Sequence, residues 1–280
     1  MSIHWLLNES FLEDENHIDI LTELKRSNIP HTVADNHIFF KSDGKLNDIL
    51  GIDKDEPLMT LGSIPFVRSC LMVMKSNPFG GYFNHKEVDI INSFSNFSDD
   101  SNLLFNKDQS FNYFGYIEKN IDYFLDKYYG SFFIRPNSSL KTFIPAVINR
   151  ENYAIELNCI RNLYRTLDNE LCFISEKKDI LNEYRFIIAN REVIASSSYI
   201  LNGEINAKAG ASEQAINLAN EMAKKGWQPD DVYIVDIGEN HNKVGILEFN
   251  CYSTSGFYKC DPRHIGIVNE VIKADLEAIY

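Results

Sequence analysis

The 280-residue sequence has no apolar run near the roughly 20 residues that an α-helix needs to cross a bilayer. Its first residues, MSIHWLLNESFLEDEN, lack the basic start and the sustained apolar stretch of a secretory signal. Basic residues are also few, with 27 Lys and Arg against 40 Asp and Glu and a formal net charge of -13. This balance argues against general binding to nucleic acid or to anionic membranes. We therefore expect a cytoplasmic protein that binds neither.

Paired cysteines and the usual glycine-rich phosphate loops are absent as well. The five cysteines are odd in number and lack the paired spacing of zinc ligands, so we expect reduced, buried thiols and no disulfide framework or structural zinc site. Neither G-x-x-x-x-G-K followed by Ser or Thr nor G-x-G-x-x-G occurs in the sequence. If the protein binds phosphate groups, other residues must form the site.

The composition, 44% hydrophobic and 24% charged, is that of a globular protein with one large or two modest domains. The stretch 89–112 is crowded with Ser, Asn and Asp, which predicts a domain junction. We place a small α/β domain at residues 1–104 and a second domain at residues 105–280. The predicted elements of the first domain are strands over Ile3–Leu7 and His31–Val33, a helix over Asp14–Arg26, and short apolar segments over Leu58–Leu61, Ile64–Val67 and Leu71–Met74.

Strands dominate the middle of the second domain. The predicted elements are a helix over Tyr116–Tyr128, strands over Phe132–Ile134, Leu171–Ser175, Glu183–Ala189 and Val193–Tyr199, a helix over Glu213–Lys225, a hairpin over 232–250 and a helix over Ile265–Ile279. This density of strands indicates an antiparallel sheet, and the fold class that it predicts is α+β.

The hairpin carries three oxygen-bearing side chains, Asp236, Glu248 and Asn250. Glu248 and Asn250 share a face because side chains alternate along a strand, and Asp236 joins them if it pairs near Ile246 or Glu248. Two acids and an amide oxygen are a sufficient protein share of a magnesium site. For the hairpin alone, however, an ordinary solvated face is the commoner explanation.

Cationic and acidic side chains occur at two further places. In FFIRPNSSLKTF, Arg135 leaves a strand that Pro136 ends, and a polar loop returns Lys141 to the same neighbourhood, so the two cations either bind phosphates or are ordinary surface charges. In the next pair of strands, Glu183 and Arg185 alternate onto one face. They either form a surface ion pair of little energetic weight or contact a ribose and an anionic group.

The order of these motifs resembles the ATP-grasp superfamily: an Arg-Pro strand with a polar loop and Lys, a strand and acidic linker, a Glu-x-Arg strand, and a final Asp…Glu-x-Asn. More closely, it resembles a phage and bacterial clade with Arg-Pro…Lys and Glu-x-Arg signatures. The resemblance covers roughly residues 103–280 and implies an ATP-grasp fold, in which two α+β subdomains hold ATP. The small α/β domain would precede this fold.

The resemblance also implies roles for individual residues. ATP would bind at Arg135, Lys141, Ser175, Glu176, Lys177, Asp179, Glu183 and Arg185; Asp236, Glu248 and Asn250 would hold Mg; Arg185 and Lys208 would act on the transferred phosphoryl group. Adenine would lie against the linker at 176–179, with the ribose at Glu183. Two departures stand out: Arg135 occupies the place of a more usual lysine, and the glycine-rich flap of many such ligases is missing.

Three functions are compatible with this resemblance. The first is an ATP- and Mg-dependent ligase that joins a carboxylate substrate to an amine acceptor through an acylphosphate. The second is a phosphotransferase of the same fold, and the third is a nucleotide-binding or interaction protein without catalysis, which the missing flap favours. The region with Arg68, Gly62-Ser63 and the aromatic stretch Phe79–Phe83 is a candidate for substrate contacts, and is equally compatible with a turn beside core aromatics.

Overall fold

The structure, a computed structural model, contains three sheets that follow one another along the chain. The described residues are 2–13, 19–41, 46–97, 101–106 and 108–279. Part of the helix predicted over Asp14–Arg26, residues 14–18, lies outside them. Within the part of the chain that the structure describes, no helix is long and apolar enough to cross a membrane.

The first sheet is parallel and has four strands in the order β2-β1-β3-β4. Its elements are β1 (His4–Asn8), α1 (Glu9–Leu12), α2 (Ile20–Arg26), β2 (His31–Ala34), α3 (Ile38–Lys41), α4 (Leu46–Leu50), β3 (Leu58–Leu61), α5 (Ile64–Val73) and β4 (Phe79–Gly80). The two apolar segments predicted after β3 form one helix, α5, which buries Phe66, Val67 and Cys70. These positions recur at helical spacing, so one face of the helix packs on the sheet.

The second sheet is antiparallel, with the order β5-β8-β6-β7. Its elements are α6 (Ile90–Ser95), β5 (Gln109–Tyr113), α7 (Phe114–Lys119), α8 (Ile121–Lys127), β6 (Ser131–Pro136), β7 (Ala146–Asn149), α9 (Tyr153–Asn158) and β8 (Leu171–Glu176). The helix predicted over Tyr116–Tyr128 is two helices, because the Asn120 side chain donates back to the Tyr116 carbonyl (2.8 Å) and competes with helical continuation. Part of the predicted junction is strand β5, whose half-exposed edge position tolerates the polar sequence QSFNY.

The third sheet is antiparallel and has five strands in the order β11-β10-β9-β12-β13. Its elements are β9 (Asn182–Ala189), β10 (Glu192–Leu201), β11 (Glu204–Ala209), α10 (Glu213–Ala223), β12 (Val232–Glu239), β13 (Val244–Cys251) and α11 (His264–Ile279). The predicted hairpin is β12–β13, and the Asn240 carboxamide oxygen closes its turn by accepting the backbone N–H groups of Asn242 and Lys243 (both 3.0 Å). The α+β class predicted from the sequence is confirmed.

One hydrophobic core joins the parallel sheet to the five-stranded sheet. Trp5 of β1 packs in the same cluster as Ile187 of β9 and Ile272 of α11. The Trp5 indole N–H donates to the Asn269 carboxamide oxygen of α11 (3.0 Å), which satisfies a polar group that burial would otherwise leave unpaired. The predicted domains therefore share buried surface, and the boundary between residues 104 and 105 stays a prediction.

Gly245 lets β13 approach the chain that enters the second sheet. The Phe105 N–H donates to the Ile246 carbonyl (2.9 Å), and a Cβ at residue 245 would lie 2.6 Å from the Phe105 backbone. Both contacting atoms belong to the backbone, so neither moves aside as a side chain would. Position 245 therefore accepts glycine alone if β13 is to keep this contact.

We expect Gly245→Ala to lower the free energy of unfolding by about 2 kcal/mol or more, because overpacking against fixed atoms costs typically 1–3 kcal/mol. Urea denaturation measures the change. Gly226→Ala is the matched control, because a Cβ there meets no atom within 4 Å. A Gly245→Ala protein as stable as the control would contradict the close approach.

Candidate functional site

The β12–β13 hairpin brings Asp236, Glu248 and Asn250 together. Asp236 pairs directly with Glu248 across the two strands, the register on which the sequence argument depended. The Asn250 amide nitrogen donates to Asp236 Oδ2 and to Glu248 Oε1, both at 3.1 Å. Because both amide hydrogens point to these acids, the Asn250 Oδ1 oxygen is left facing elsewhere as an acceptor.

A buried ion pair lies behind the hairpin. Arg185 of β9 donates from Nε to Asp236 Oδ1 (2.8 Å) and from its terminal nitrogen to Oδ2 (2.6 Å), and its other terminal nitrogen donates to the Gly256 carbonyl (2.8 Å). Side-chain exposure is 8% for Arg185 and 1% for Asp236. Burial and Glu248 raise the pKa of Asp236, whereas Arg185 opposes them; burial would lower the pKa of Arg185, and Asp236 raises it instead. The bidentate geometry keeps both groups charged.

Two tyrosines cover this pair. The rings of Tyr199 and Tyr258 stack at a centroid distance of 4.8 Å, and the Arg185 guanidinium lies 5.6 Å and 5.0 Å from their centroids. The Tyr199 hydroxyl donates to Glu183 (2.5 Å). Burial, with the nearby acids Asp236 and Glu248, raises the pKa of Glu183 above its usual range, although the bond from Tyr199 opposes the shift. Glu183 therefore contacts Tyr199, and Arg185 contacts Asp236.

Glu248 faces two cations. It forms an ion pair with Arg135, whose side chain is 14% exposed against 16% for Glu248. Burial alone would raise the pKa of Glu248, but the charges of Arg135 and Lys141 and the hydrogen bond from Asn250 outweigh it and hold this pKa well below its usual range. Glu248 is therefore ionised at neutral pH and available to a cation.

A cavity of about 540 Å³ opens where these residues meet. It lies between the second sheet, the linker after β8, and strands β9, β10 and β13. The predicted residues that line it are Arg135, Lys141, Ser175, Glu176, Lys177, Asp179, Glu183 and Glu248. In the linker, Lys177 pairs with Asp179 (3.2 Å) and Lys178 pairs with Glu176. The structure thus gathers most of the predicted nucleotide-binding residues around one cavity.

Two predicted residues lie away from the cavity. Arg185 lies behind it, engaged with Asp236 and Gly256. Lys208 is exposed on β11, and its partner on β10 is Ser198, which in turn pairs with Tyr184 of β9. Because Tyr184 and Arg185 are consecutive, the pleat turns Lys208 to the face opposite Arg185. The structure therefore does not bring Lys208 to the group that the sequence argument assigned to it.

Sequence reasoning missed the apolar wall of the cavity. Its members include Phe133, Val147, Phe173, Ile180 and Leu247. A period-two signal could have found two of them, because Phe133 precedes Arg135 by two residues and Phe173 precedes Ser175 by two. Tyr199 is a further omission, and no short motif marks it.

The donor set fits a hard divalent cation. Glu248 supplies an ionised carboxylate and Asn250 an amide oxygen, both of which Mg prefers. Asp236 already accepts from Arg185 at both oxygens, so it can share the lone pairs that Arg185 leaves. Among the described residues, no group of three or more His, Cys, Asp or Glu side chains could hold a metal ion, so a site here depends on Asn250.

We expect Asp236→Ala to lower the free energy of unfolding by about 3–5 kcal/mol without any nucleotide or metal, because it leaves a buried, unpaired Arg185. Urea denaturation measures this loss. Replacing both partners, Arg185→Met with Asp236→Leu, should recover much of it, since no buried charge remains. Glu270→Ala, which breaks the surface pair with Lys273, should cost less than about 1 kcal/mol. Equal costs for Asp236→Ala and Glu270→Ala would contradict the buried pair.

Comparison with known proteins locates this geometry in a family. A family model described as an ATP-grasp domain, family 2 of its clade, matches residues 118–266, just over half of the chain. No curated protein sequence matches. Among solved structures, D-cycloserine synthetase DcsG superposes with a TM-score of 0.58 at 10% identity, covering 90% of this chain and 92% of that chain.

Two other solved structures give similar results. D-alanine–D-alanine ligase from Bacillus anthracis, complexed with ATP, has a TM-score of 0.54 at 14% identity, covering 91% of this chain and 87% of that chain. The ATP-grasp ligase PsnB, complexed with a minimal precursor, Mg and ADP, has a TM-score of 0.51 at 12% identity, with 90% and 89% covered. At these identities the likeness concerns the fold. Together with the family match, it establishes that the chain belongs to the ATP-grasp superfamily.

Proposed function

We propose that the protein is an ATP- and Mg-dependent ligase that joins a carboxylate to an amine through an acylphosphate. The observation that carries the proposal is the convergence of Arg135, Lys141, Glu183 and Glu248 on one cavity between two sheets. Two cations, a half-buried acid and an ionised acid beside an amide oxygen are the groups that a nucleotide with its metal requires. Solved proteins of this fold are named as synthetases and ligases, which supports the reaction class.

The cavity has an apolar part and a charged part that match the two ends of ATP. Phe133, Phe173 and Leu247 offer apolar surface for adenine beside the linker that contains Ser175, Glu176, Lys177 and Asp179. In this proposal Glu183 accepts hydrogen bonds from the ribose hydroxyls. Arg135 and Lys141 bind the phosphates, Arg135 through its planar fork and Lys141 as a mobile charge.

Glu248 and Asn250 would hold Mg, with Asp236 sharing its remaining lone pairs. When bound, Mg neutralises negative charge on the phosphates and helps to orient them. Arg185 then acts as a positioning residue, because it fixes Asp236, which accepts from Asn250. Lys208 has no part in this scheme, since it lies on the opposite face of the sheet.

The reaction balances without a further co-reactant. A substrate carboxylate oxygen attacks the γ-phosphorus of ATP and ADP leaves, which forms the acylphosphate. An amine then attacks the acyl carbon, phosphate leaves, and the nitrogen loses a proton. The protein contributes mainly position and charge neutralisation, for which Arg135 and Lys141 are placed at the cavity wall.

We expect ATP with Mg, at about 100 times its dissociation constant, to stabilise the protein by about 2.7 kcal/mol, or roughly 5–10 °C in Tm. Excess EDTA should remove most of this shift. Glu248→Gln, which keeps the shape but removes the charge, should lose most of the metal-dependent shift. Thermal denaturation with ATP plus Mg and with ATP plus EDTA measures both effects.

Glu221→Gln is the control, because Glu221 is an exposed residue paired with Lys225 at the surface. It should respond to ATP and Mg as the wild type does. A wild-type response of Glu248→Gln would remove Glu248 from the metal site.

Product analysis tests the reaction itself. Incubation with ATP, Mg and a panel of carboxylates and amines should yield ADP, free phosphate and an amide, and hydroxylamine in place of the amine should trap the acyl group as a hydroxamate. A stable phosphorylated product without free phosphate would identify a phosphotransferase. Nucleotide binding without turnover of any substrate would favour a non-catalytic protein.

A further inference from the structure

The parallel sheet has a topological switch point between β1 and β3. The chain passes from β1 to β2 on one side, then crosses to β3 on the other side of β1. In open parallel sheets, ligands bind in the crevice outside the carboxyl ends of the strands at this point. Here β1 ends at Asn8, and Gly62 and Ser63 follow β3.

Asn8 carries a buried donor that has no acceptor. Its Oδ1 accepts from Ser10 Oγ (3.1 Å) and from the Ser63 N–H (3.4 Å), and because an N–H can only donate, these contacts fix the orientation of the amide. Nδ2 then faces away from both and has no partner among the described residues, although Asn8 is 0% exposed. Leaving such a donor unpaired costs about 1–3 kcal/mol, so its retention needs an explanation.

The N-terminus of α5 adds donors at the same place. Ser63 is the N-cap of this ten-residue helix, yet its side chain makes no capping bond, and its buried Oγ has no partner within the described part of the chain. The first turn contains no acidic residue. The free N–H groups and the positive end of the helix dipole favour an anion here. Because Ser63 is half-buried and Ser10 and Pro65 are exposed, a small molecule can reach the place from the surface.

The same place is connected to the hairpin that carries Glu248. Ser253 follows Asn250 by three residues, and its carbonyl accepts the Gly62 N–H (2.9 Å). The Gly256 carbonyl, three residues later, accepts from Arg185 (2.8 Å). The segment after β13 therefore runs from the proposed metal site to the N-terminus of α5.

We propose that Asn8, Ser63 and the N-terminus of α5 bind the carboxylate of an amino acid or short peptide that the enzyme uses as a substrate. All of these donors are uncharged, which suits the single charge of a carboxylate better than a phosphate dianion. The amide and the hydroxyl gain the acceptor that they lack. This assignment rests on the proposed ligase function.

Binding of defined probes to the full chain tests the proposal. The probes are the twenty amino acids and glycylglycine, with inorganic phosphate as the alternative anion, each titrated by calorimetry in the presence of ADP and Mg. We expect at least one carboxylate probe to bind. Asn8→Asp should weaken that binding about 10- to 100-fold, because it replaces a hydrogen bond to a charged group by repulsion.

Asn8→Asp is a mild change for the fold, because it keeps the oxygen that accepts from Ser10 and Ser63 and removes a donor that pairs with none of the described residues. Ser63→Ala removes one hydroxyl and gives a second measurement, with an expected loss of about tenfold. Ser10→Ala is the matched control, because it touches the same amide through its oxygen only, and it should bind as the wild type does.

Three results would overturn the proposal: binding by Asn8→Asp as tight as the wild type, binding of phosphate alone, or binding of no probe. A purely structural role for Asn8 would change Tm and leave probe affinity unchanged. The shift with ATP and Mg, measured on the same variants, should stay at the wild-type value. Its absence in the wild type together with carboxylate binding would reject the ligase and retain the anion site.

Discussion

The buried pair of Arg185 and Asp236 is the contact on which the geometry of the site depends. It joins the two central strands of the five-stranded sheet, which are directly paired at these positions. Through Asp236 it orients Asn250, and through Gly256 it fixes the segment after β13. Desolvating two charges is expensive, so only bidentate geometry and the added hydrogen bonds make the pair tolerable. That requirement leaves these groups little freedom to move.

The second ion pair, between Arg135 and Glu248, has a different character. It lies at the cavity wall with both side chains partly exposed, whereas Asp236 is nearly sealed. A phosphate competes with Glu248 for Arg135, and a divalent cation competes with Arg135 for Glu248. When both ligands bind together, each charge exchanges one partner for another, so the site avoids leaving any charge unpaired. In the proposed function, this exchange makes nucleotide and metal binding mutually favourable.

The sequence was sufficient for what depends on local pattern. Alternation placed Glu248 and Asn250 on one face of a hairpin, and the turn residues around Asn240 predicted where the strands reverse. Contacts between distant segments were beyond reach, because Glu183 contacts Tyr199 and Arg185 contacts Asp236 only after the sheet is assembled. Lys208 failed for a related reason: its face depends on the register of β10 and β11, which no motif fixes.

Two ways of binding oxyanions coexist in the proposed enzyme, and their separation has a physical logic. A ligase that uses ATP must hold a triphosphate and a substrate carboxylate close together, and cations do not distinguish strongly between them. Neutral donors at Asn8 and Ser63 attract a dianion less than Arg135 and Lys141 do. A lysine in place of Asn8 would bind a carboxylate more tightly and would also draw phosphate to the wrong place. Selectivity is a difference of affinities, so a weaker, uncharged site separates the two ligands better than a stronger charged one.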